Sequence, residues 1–463
     1  MVPDRRVFLR TGLGAAAALA AGRRSGSAPA ADRRAPRVSS LAEAVRAREP
    51  RTIDALRTAR HSAARLRPVA GGPPPSRRFR DLKQRFVFEY YPWYGASPWL
   101  HWDQWSRQPP HDIAANYLPR LGPYDSADRA VVEQHARWIV ESGVGAINLS
   151  WWGRDTREDQ LVPLVLDVMR DHGLKVAFHL EPYADDHGYR FADDVLYLLR
   201  RYGEQRRWDA LLLLENPGGR GGVSPVFKGF RTILPADYVD CLGVQRTMSD
   251  YTPDDVYARQ FEQIRGRVRG DFEHLLLLSD SLDYIRAARS GFDGIAIYDN
   301  FIPPSAYDAL AGRATEAGLL FSFNINPGFD QITPRDADLG ECYAQPPVVP
   351  QGDGLDWSIE SERERAARLS AARITESAEA ALAVQSDPAF VNAATGFYLV
   401  YLTSFNEWHE GHMFEPMMDA AAIGAEERRF GYRNPAAGDY RLRVVSDALA
   451  PVLPVRKAAS FIS

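Results

Sequence analysis

The 463-residue chain has only two cysteines, Cys241 and Cys342. That number rules out a disulfide framework, and leaves open either one bond in an oxidising compartment or two free buried thiols. No apolar run is long enough to span a bilayer, and there is no heptad pattern and no internal repeat. No Gly-x-Gly-x-x-Gly or Walker-type loop follows the first strand-like run, which argues against a nucleotide fold. No Gly-x-Ser-x-Gly elbow is present, which argues against serine nucleophile chemistry. His409, Glu410, His412 and Glu415 could be read as a metal cluster, but His409-Glu410-Gly411-His412 is one residue short of His-Glu-x-x-His. The two imidazoles therefore miss the i, i+4 spacing of a zinc helix, and no metal or other cofactor is expected.

Aromatic residues, by contrast, are plentiful: ten Trp, 20 Tyr and 21 Phe, with 45% hydrophobic and 25% charged residues. Core packing uses most of them, and the remainder suit stacking against a flat apolar ligand face. Residues 1–31 read as a twin-arginine-type leader: Asp4-Arg5-Arg6-Val7-Phe8-Leu9-Arg10, an Ala-rich run to Gly22, and a small-residue Ala18-Leu19-Ala20 site. Its loss takes the charge of −4 to about −8. An exported, mildly acidic protein follows, periplasmic, wall-associated or extracellular, handled by Tat-type machinery, with no nucleic-acid partner and no stable membrane insertion. Residues 32–84 read as an N-terminal helix and linker, rich in Arg, Ala, Pro and Gly, and residues 85–463 as one compact domain with a C-terminal extension.

Eight strand-like runs recur from Phe86 onward: 86–91, 144–150, 175–180, 226–231, 274–279, 294–299, 319–325 and 397–404. Helical stretches lie between most of them, at 127–141, 161–172, 193–202, 253–267, 282–289 and 359–384. Continuous apolar strands alternating with amphipathic helices predict a parallel sheet covered by helices. Eight repeats favour an α/β fold closed as a (β/α)8 TIM barrel over an open doubly wound sheet.

A barrel places its chemistry at the C-terminal ends of its strands. Six of the eight ends pair aromatic residues with carboxylates, amides or histidine. They offer Tyr91, Trp93 and Tyr94 with His101 and Trp102; Trp151 and Trp152; His179, Glu181 and Tyr183; Tyr298; Asn326; and Asn406, Trp408 and His409. Aromatic platforms interleaved with hydrogen-bonding groups match a sugar, which has an apolar C–H face and a rim of hydroxyls. Glu407 and Glu410 follow the last strand. In a helical turn, i and i+3 share a face, so the two carboxyls can address one small molecule. Burial against Trp408 is expected to keep one carboxyl protonated as an acid while its neighbour stays ionised as a base.

These motifs resemble the endo-α-mannosidase family, glycoside hydrolase family 99. The stretches are Tyr91-Pro92-Trp93-Tyr94-Gly95 with Trp99, His101 and Trp102; Ser150-Trp151-Trp152; His179-Leu180-Glu181-Pro182-Tyr183; Ser290 to Gly294; and Thr403 to Gly411 with Glu415-Pro416. The resemblance implies a (β/α)8 barrel that cuts within α-linked mannan-type chains, retaining configuration and using no metal. It also implies that Glu407 is the base on the substrate 2-hydroxyl, giving a 1,2-anhydro sugar, that Glu410 is the acid, and that Glu181 and Tyr183 line the sugar site. Departures are His412 and Met413 where small polar residues are expected, the Asn324 to Asp330 segment, and an added loop at Asn216 to Ser224. The alternatives are a catalytically silent glycan-binding protein on the same barrel and a metal-dependent hydrolase, which chelation would expose.

Overall fold

The computed structural model describes residues 79, 81–205, 208–218, 221–240, 243–272, 274–333 and 355–453. The leader, most of the 32–84 linker, Cys241 and Cys342 lie outside the described residues. Among those described, no helix is long and apolar enough to cross a membrane.

Eight parallel strands form the barrel: β1 (Phe86–Tyr90), β2 (Ala146–Trp151), β3 (Lys175–Leu180), β4 (Val223–Gly229), β5 (Leu276–Ser279), β6 (Gly294–Ala296), β7 (Leu320–Ser322) and β8 (Val400–Leu402). They pair in sequence order from β1 to β7, and β8 returns to β1 with Phe86 opposite Val400 and Phe88 opposite Leu402. The last seam is closed by a single bridge, Ile325 to Leu402. There Ile325 N–H donates to Tyr401 O (2.9 Å), and Thr403 N–H donates to Ile325 O (3.0 Å). The eighth strand is shorter than its apolar run because Gln385 stands in for a ladder partner. Its amide donates to Leu399 O (2.7 Å), and its carbonyl accepts from Leu399 N–H (3.3 Å). The Asn216–Ser224 stretch is a hairpin in which Leu213–Glu215 pairs antiparallel with Val223–Pro225 of β4.

Helices α1 (Arg129–Glu141), α2 (Arg157–Asp171), α3 (His187–Gln205), α4 (Asp254–Val268), α5 (Tyr284–Arg289), α6 (Tyr307–Glu316) and α7 (Glu360–Ser386) lie in the connections, and α8 (Tyr440–Leu449) follows β8. Three starts are fixed by side-chain caps that accept backbone N–H groups: Asp128 from Ala130, Thr156 from Asp159 and Asp283 from Arg286. The sequence reading did not single out α6 or α8.

The strand period of two sorts the core into layers. Phe86, Phe88, Ile147, Leu149, Val176, Phe178, Phe227, Leu277 and Ile295 face the helices. Val87, Ala146, Ala177, Val226, Leu276, Leu278 and Tyr401 fill the barrel interior. One step further toward the C-terminal ends, the inward positions turn polar: Glu89, Asn148, His179 and Lys228, all buried. A third apolar cluster, including Tyr94, Trp102, Tyr117, Tyr124, Trp408 and Met417, roofs one side of the mouth.

Candidate active site

The barrel floor beneath the site is an ion cluster. Lys228 Nζ donates to Glu89 Oε1 (2.6 Å), Asn148 donates to Glu89 Oε2 (2.8 Å), and His179 Nδ1 lies 3.1 Å from the same oxygen. Burial alone would push the Glu89 carboxyl up. The charges of Lys228 and His179, with their hydrogen bonds, overcome it and hold the group down at about 2. For His179, burial lowers the imidazole, but the charges of Glu181 and Glu89 outweigh it and raise the group. Sequence reading missed Glu89 and Lys228. The available signal was a lone charge inside each apolar run, Phe86-Val-Phe-Glu-Tyr and Val226-Phe-Lys-Gly.

Above this floor, Glu181 accepts a hydrogen bond from Ser150 Oγ (2.8 Å), and Ser150 Oγ in turn accepts from Trp152 Nε1 (3.0 Å). Burial, the leading cause, raises the Glu181 carboxyl even though His179 and Ser150 pull it down. Trp152 neighbours Trp93, with ring centroids 5.9 Å apart, and Trp93 stacks on His101 at 4.5 Å and 11°. His409 continues the stack, 5.5 Å from His101, and its Nε2–H donates to His101 O (2.9 Å). These rings make one wall.

The two candidate acids do not sit on a helix. Residues 408–411 form a turn, with Gly411 N–H donating to Trp408 O. Asp330 N–H donates to Glu410 O (2.9 Å), and Ile332 N–H donates to His409 O (2.8 Å), which pins the turn to the segment after β7. Gly411 permits this approach. Its φ is +67°, and a Cβ there would meet Asp330 O at 2.3 Å. Buried Arg441 of α8 secures the other side, donating to the carbonyls of Gly411 and Met413 at 2.8 Å each.

Glu407 is buried, with a side chain 4% exposed, whereas Glu410 remains 18% exposed. Glu407 N–H donates to Ser404 Oγ (2.8 Å), and Glu407 Oε1 accepts from His409 N–H (3.2 Å). Burial, followed by the charges of Glu410 and Glu181, pushes the Glu407 carboxyl well above the usual range. The raised carboxyl is thus the one assigned as base, opposite to the expectation from sequence. Glu410 Oε2 accepts from Tyr298 Oη (3.3 Å) and lies 2.6 Å from His412 Nε2, while Tyr91 Oη donates to Tyr298 Oη (2.9 Å).

The structure therefore brings Tyr91, Trp93, His101, Trp152, His179, Glu181, Tyr298, Glu407, His409 and Glu410 together. Other candidates lie behind them as framework. Asn406 accepts from Tyr91 N–H (2.8 Å) and donates to Tyr91 O (2.9 Å). Tyr94 Oη accepts from Trp408 N–H (3.0 Å), its ring stacks on Trp102 at 4.1 Å, and Trp408 Nε1 donates to Glu415. Trp151, expected at the site, belongs to the layer facing the helices, where its Nε1 donates to Asp159 of α2. Adjacent strand residues point to opposite faces, so only one of the Trp151–Trp152 pair can face the mouth. Tyr183 is half-buried and bonds Asp194 of α3, while Asn326 is tied to Asn324 and to Arg373 of α7 (2.8 and 3.0 Å). Among the described residues, no hydrogen bond joins Tyr183 or Asn326 to Glu407 or Glu410.

Comparison with known proteins agrees with the barrel fold. The family model for glycosyl hydrolase family 99 matches residues 82–208. The chain is 27% identical to a glycoprotein endo-α-1,2-mannosidase of Xenopus laevis, over 74% of this chain and 70% of that one. It is 28% identical to a glycoprotein endo-α-1,2-mannosidase-like protein of Danio rerio, over 70% and 69%. The solved GH99 endo-α-mannosidase from Bacteroides thetaiotaomicron shares the fold, with a TM-score of 0.53 and 21% identity, over 80% of this chain and 97% of that one. With the barrel and these matches in hand, the chain is a glycosidase similar to glycosyl hydrolase family 99.

Proposed function

We propose that the chain is an exported, endo-acting retaining glycosidase that cuts internal α-mannosidic bonds of a polysaccharide or glycan. The observation that carries this reading is the meeting of Glu407 and Glu410 on one pinned turn beside a stacked aromatic wall. The mannose preference draws on the α-mannosidase relatives. Ionised Glu407 takes the proton of the sugar 2-hydroxyl as O2 attacks C1. The bond from C1 to the departing oxygen breaks, and Glu410 gives that oxygen its proton. In the second step Glu410 removes a proton from water, the water oxygen opens the 1,2-anhydro ring at C1, and Glu407 returns its proton to O2. Each step inverts C1, so the configuration is retained. A base held above the ordinary carboxylate range is the stronger proton acceptor once ionised, which suits removal of a hydroxyl proton.

Proton NMR of the protein with α-mannan and defined α-mannooligosaccharides tests this. First appearance of an α-anomer from an internal cut is expected. A first-formed β-anomer would refute retention, and no cleavage of any of them would refute the mannosidase reading. Export rests on the leader-like residues 1–31. Changing Arg5 and Arg6 together to Lys should trap the precursor inside the cell, and unaltered export would remove the twin-arginine route.

A further inference from the structure

His412 lies just beyond the Glu407–Gly411 turn, and the chemistry above does not use it. It is fully buried, yet both ring nitrogens have partners: Nε2 is 2.6 Å from Glu410 Oε2, and Nδ1 is 3.0 Å from Ser404 Oγ. Ser404 Oγ already accepts Glu407 N–H, so Nδ1 is the partner left for its own hydrogen. If the ring carried a proton on Nδ1, a buried hydroxyl hydrogen would lose its acceptor. Ser404 therefore fixes the neutral Nε2–H tautomer, as the partner of one ring nitrogen sets the role of the other. Glu410 Oε2 then accepts from two donors, His412 Nε2–H and Tyr298 Oη.

We propose that His412 is a positioning residue for Glu410: it occupies Oε2, confines the transferable proton to Oε1, and stabilises the carboxylate left when that proton goes to the departing oxygen. The inference rests on the reading of Glu410 as the acid. The charged and titratable groups around the pair are Glu407 on the same turn, Tyr298 and Asp299 after β6, Tyr91 after β1, Lys228 of β4 beneath the Tyr298 ring, and Arg441 of α8 behind the turn.

The test uses a tagged α-1,2-linked mannopentaose with three variants, and the wild-type protein labelled with 15N at histidine. His412→Leu removes the donor. Its kcat should fall about 10- to 100-fold, and the alkaline limb of kcat should move up by about one pH unit, because an ionised Glu410 has lost a hydrogen bond. His412→Gln, which retains an N–H donor, should recover most of both. In the wild type, the neutral His412 ring should carry its proton on Nε2. A ring protonated on Nδ1 overturns the inference whatever the substrate. So does a His412→Leu profile identical to wild type while Glu410→Gln is inactive. Wild-type turnover by Glu410→Gln would instead refute the acid reading.

Discussion

Glu89 and Glu407 are both buried glutamates of one barrel, and their carboxyls move in opposite directions. Glu89 has Lys228 at 2.6 Å and His179 at 3.1 Å, and it sits at about 2. Glu407 has His409 Nδ1 at 3.6 Å from its Oε1, but burial and the carboxylates of Glu410 and Glu181 dominate, and it is driven up. Burial is the leading cause in both cases and pushes both the same way. The companion charge decides the outcome, so the floor holds a permanent ion pair while the turn holds a group that can exchange its proton.

The strongest way to break this contrast is Glu407→Gln. It should lower kcat/KM by about a thousandfold or more, with the melting temperature unchanged or raised, because burial and the neighbouring carboxylates already disfavour the charge at Glu407. Loss of folding would place Glu407 with Glu89 as a structural group. Glu89→Gln should do the reverse and cost about 3–5 kcal/mol in urea unfolding, because Lys228 is left buried without its anion. Adding Lys228→Met should recover much of that loss, and a strictly additive double variant would show that the pair is not coupled. Gly411→Ala should cost about 1–3 kcal/mol and reduce turnover, since it forces a side chain into a left-handed position against Asp330 O.

The contrast also sets two acid profiles. As the proposed base, Glu407 would have to be ionised to act, so kcat/KM should decline as pH falls through its raised value, above the range of an ordinary glutamate. The Glu89 contribution to stability is complete above 4.5 and is lost as pH falls from there toward 2, so activity should fail before the fold does. The smallest effect is expected from Glu181→Gln. Removing a carboxylate near Glu407 should move the acid limb down by about half a unit, and an unmoved limb would show that Glu181 is neutral in the working enzyme.

The barrel was legible because its strands are nearly continuous apolar runs, which only a sheet covered on both faces accommodates. Ends were less legible: β8 stops short of its run because Gln385, in the last turn of α7, takes over the pairing at Leu399. At the site, Glu407 and Glu410 stood out as a pair beside aromatic residues. Clustering could not separate Trp152 from Trp151, since one residue of register moves a side chain from the mouth to the helix layer. Nor could it find Glu89 and Lys228, which lie 139 residues apart and meet only once the barrel closes. Which carboxyl would be raised depended on the depth of each in the finished turn, a property that adjacent letters do not carry.

The closing seam has a consequence for how the protein comes into being. The aromatic wall is drawn largely from residues translated early, Trp93, His101 and Trp152, whereas both glutamates follow the strand that completes the ring by pairing with Phe86. With Glu407 and Glu410 as the proposed base and acid, a ribosome must therefore deliver almost the entire polypeptide before a hydrolytic centre exists. Chains cut short ahead of Val400 would be inert rather than partly active, since the staves would be in place but the final one, with its acids, would be missing.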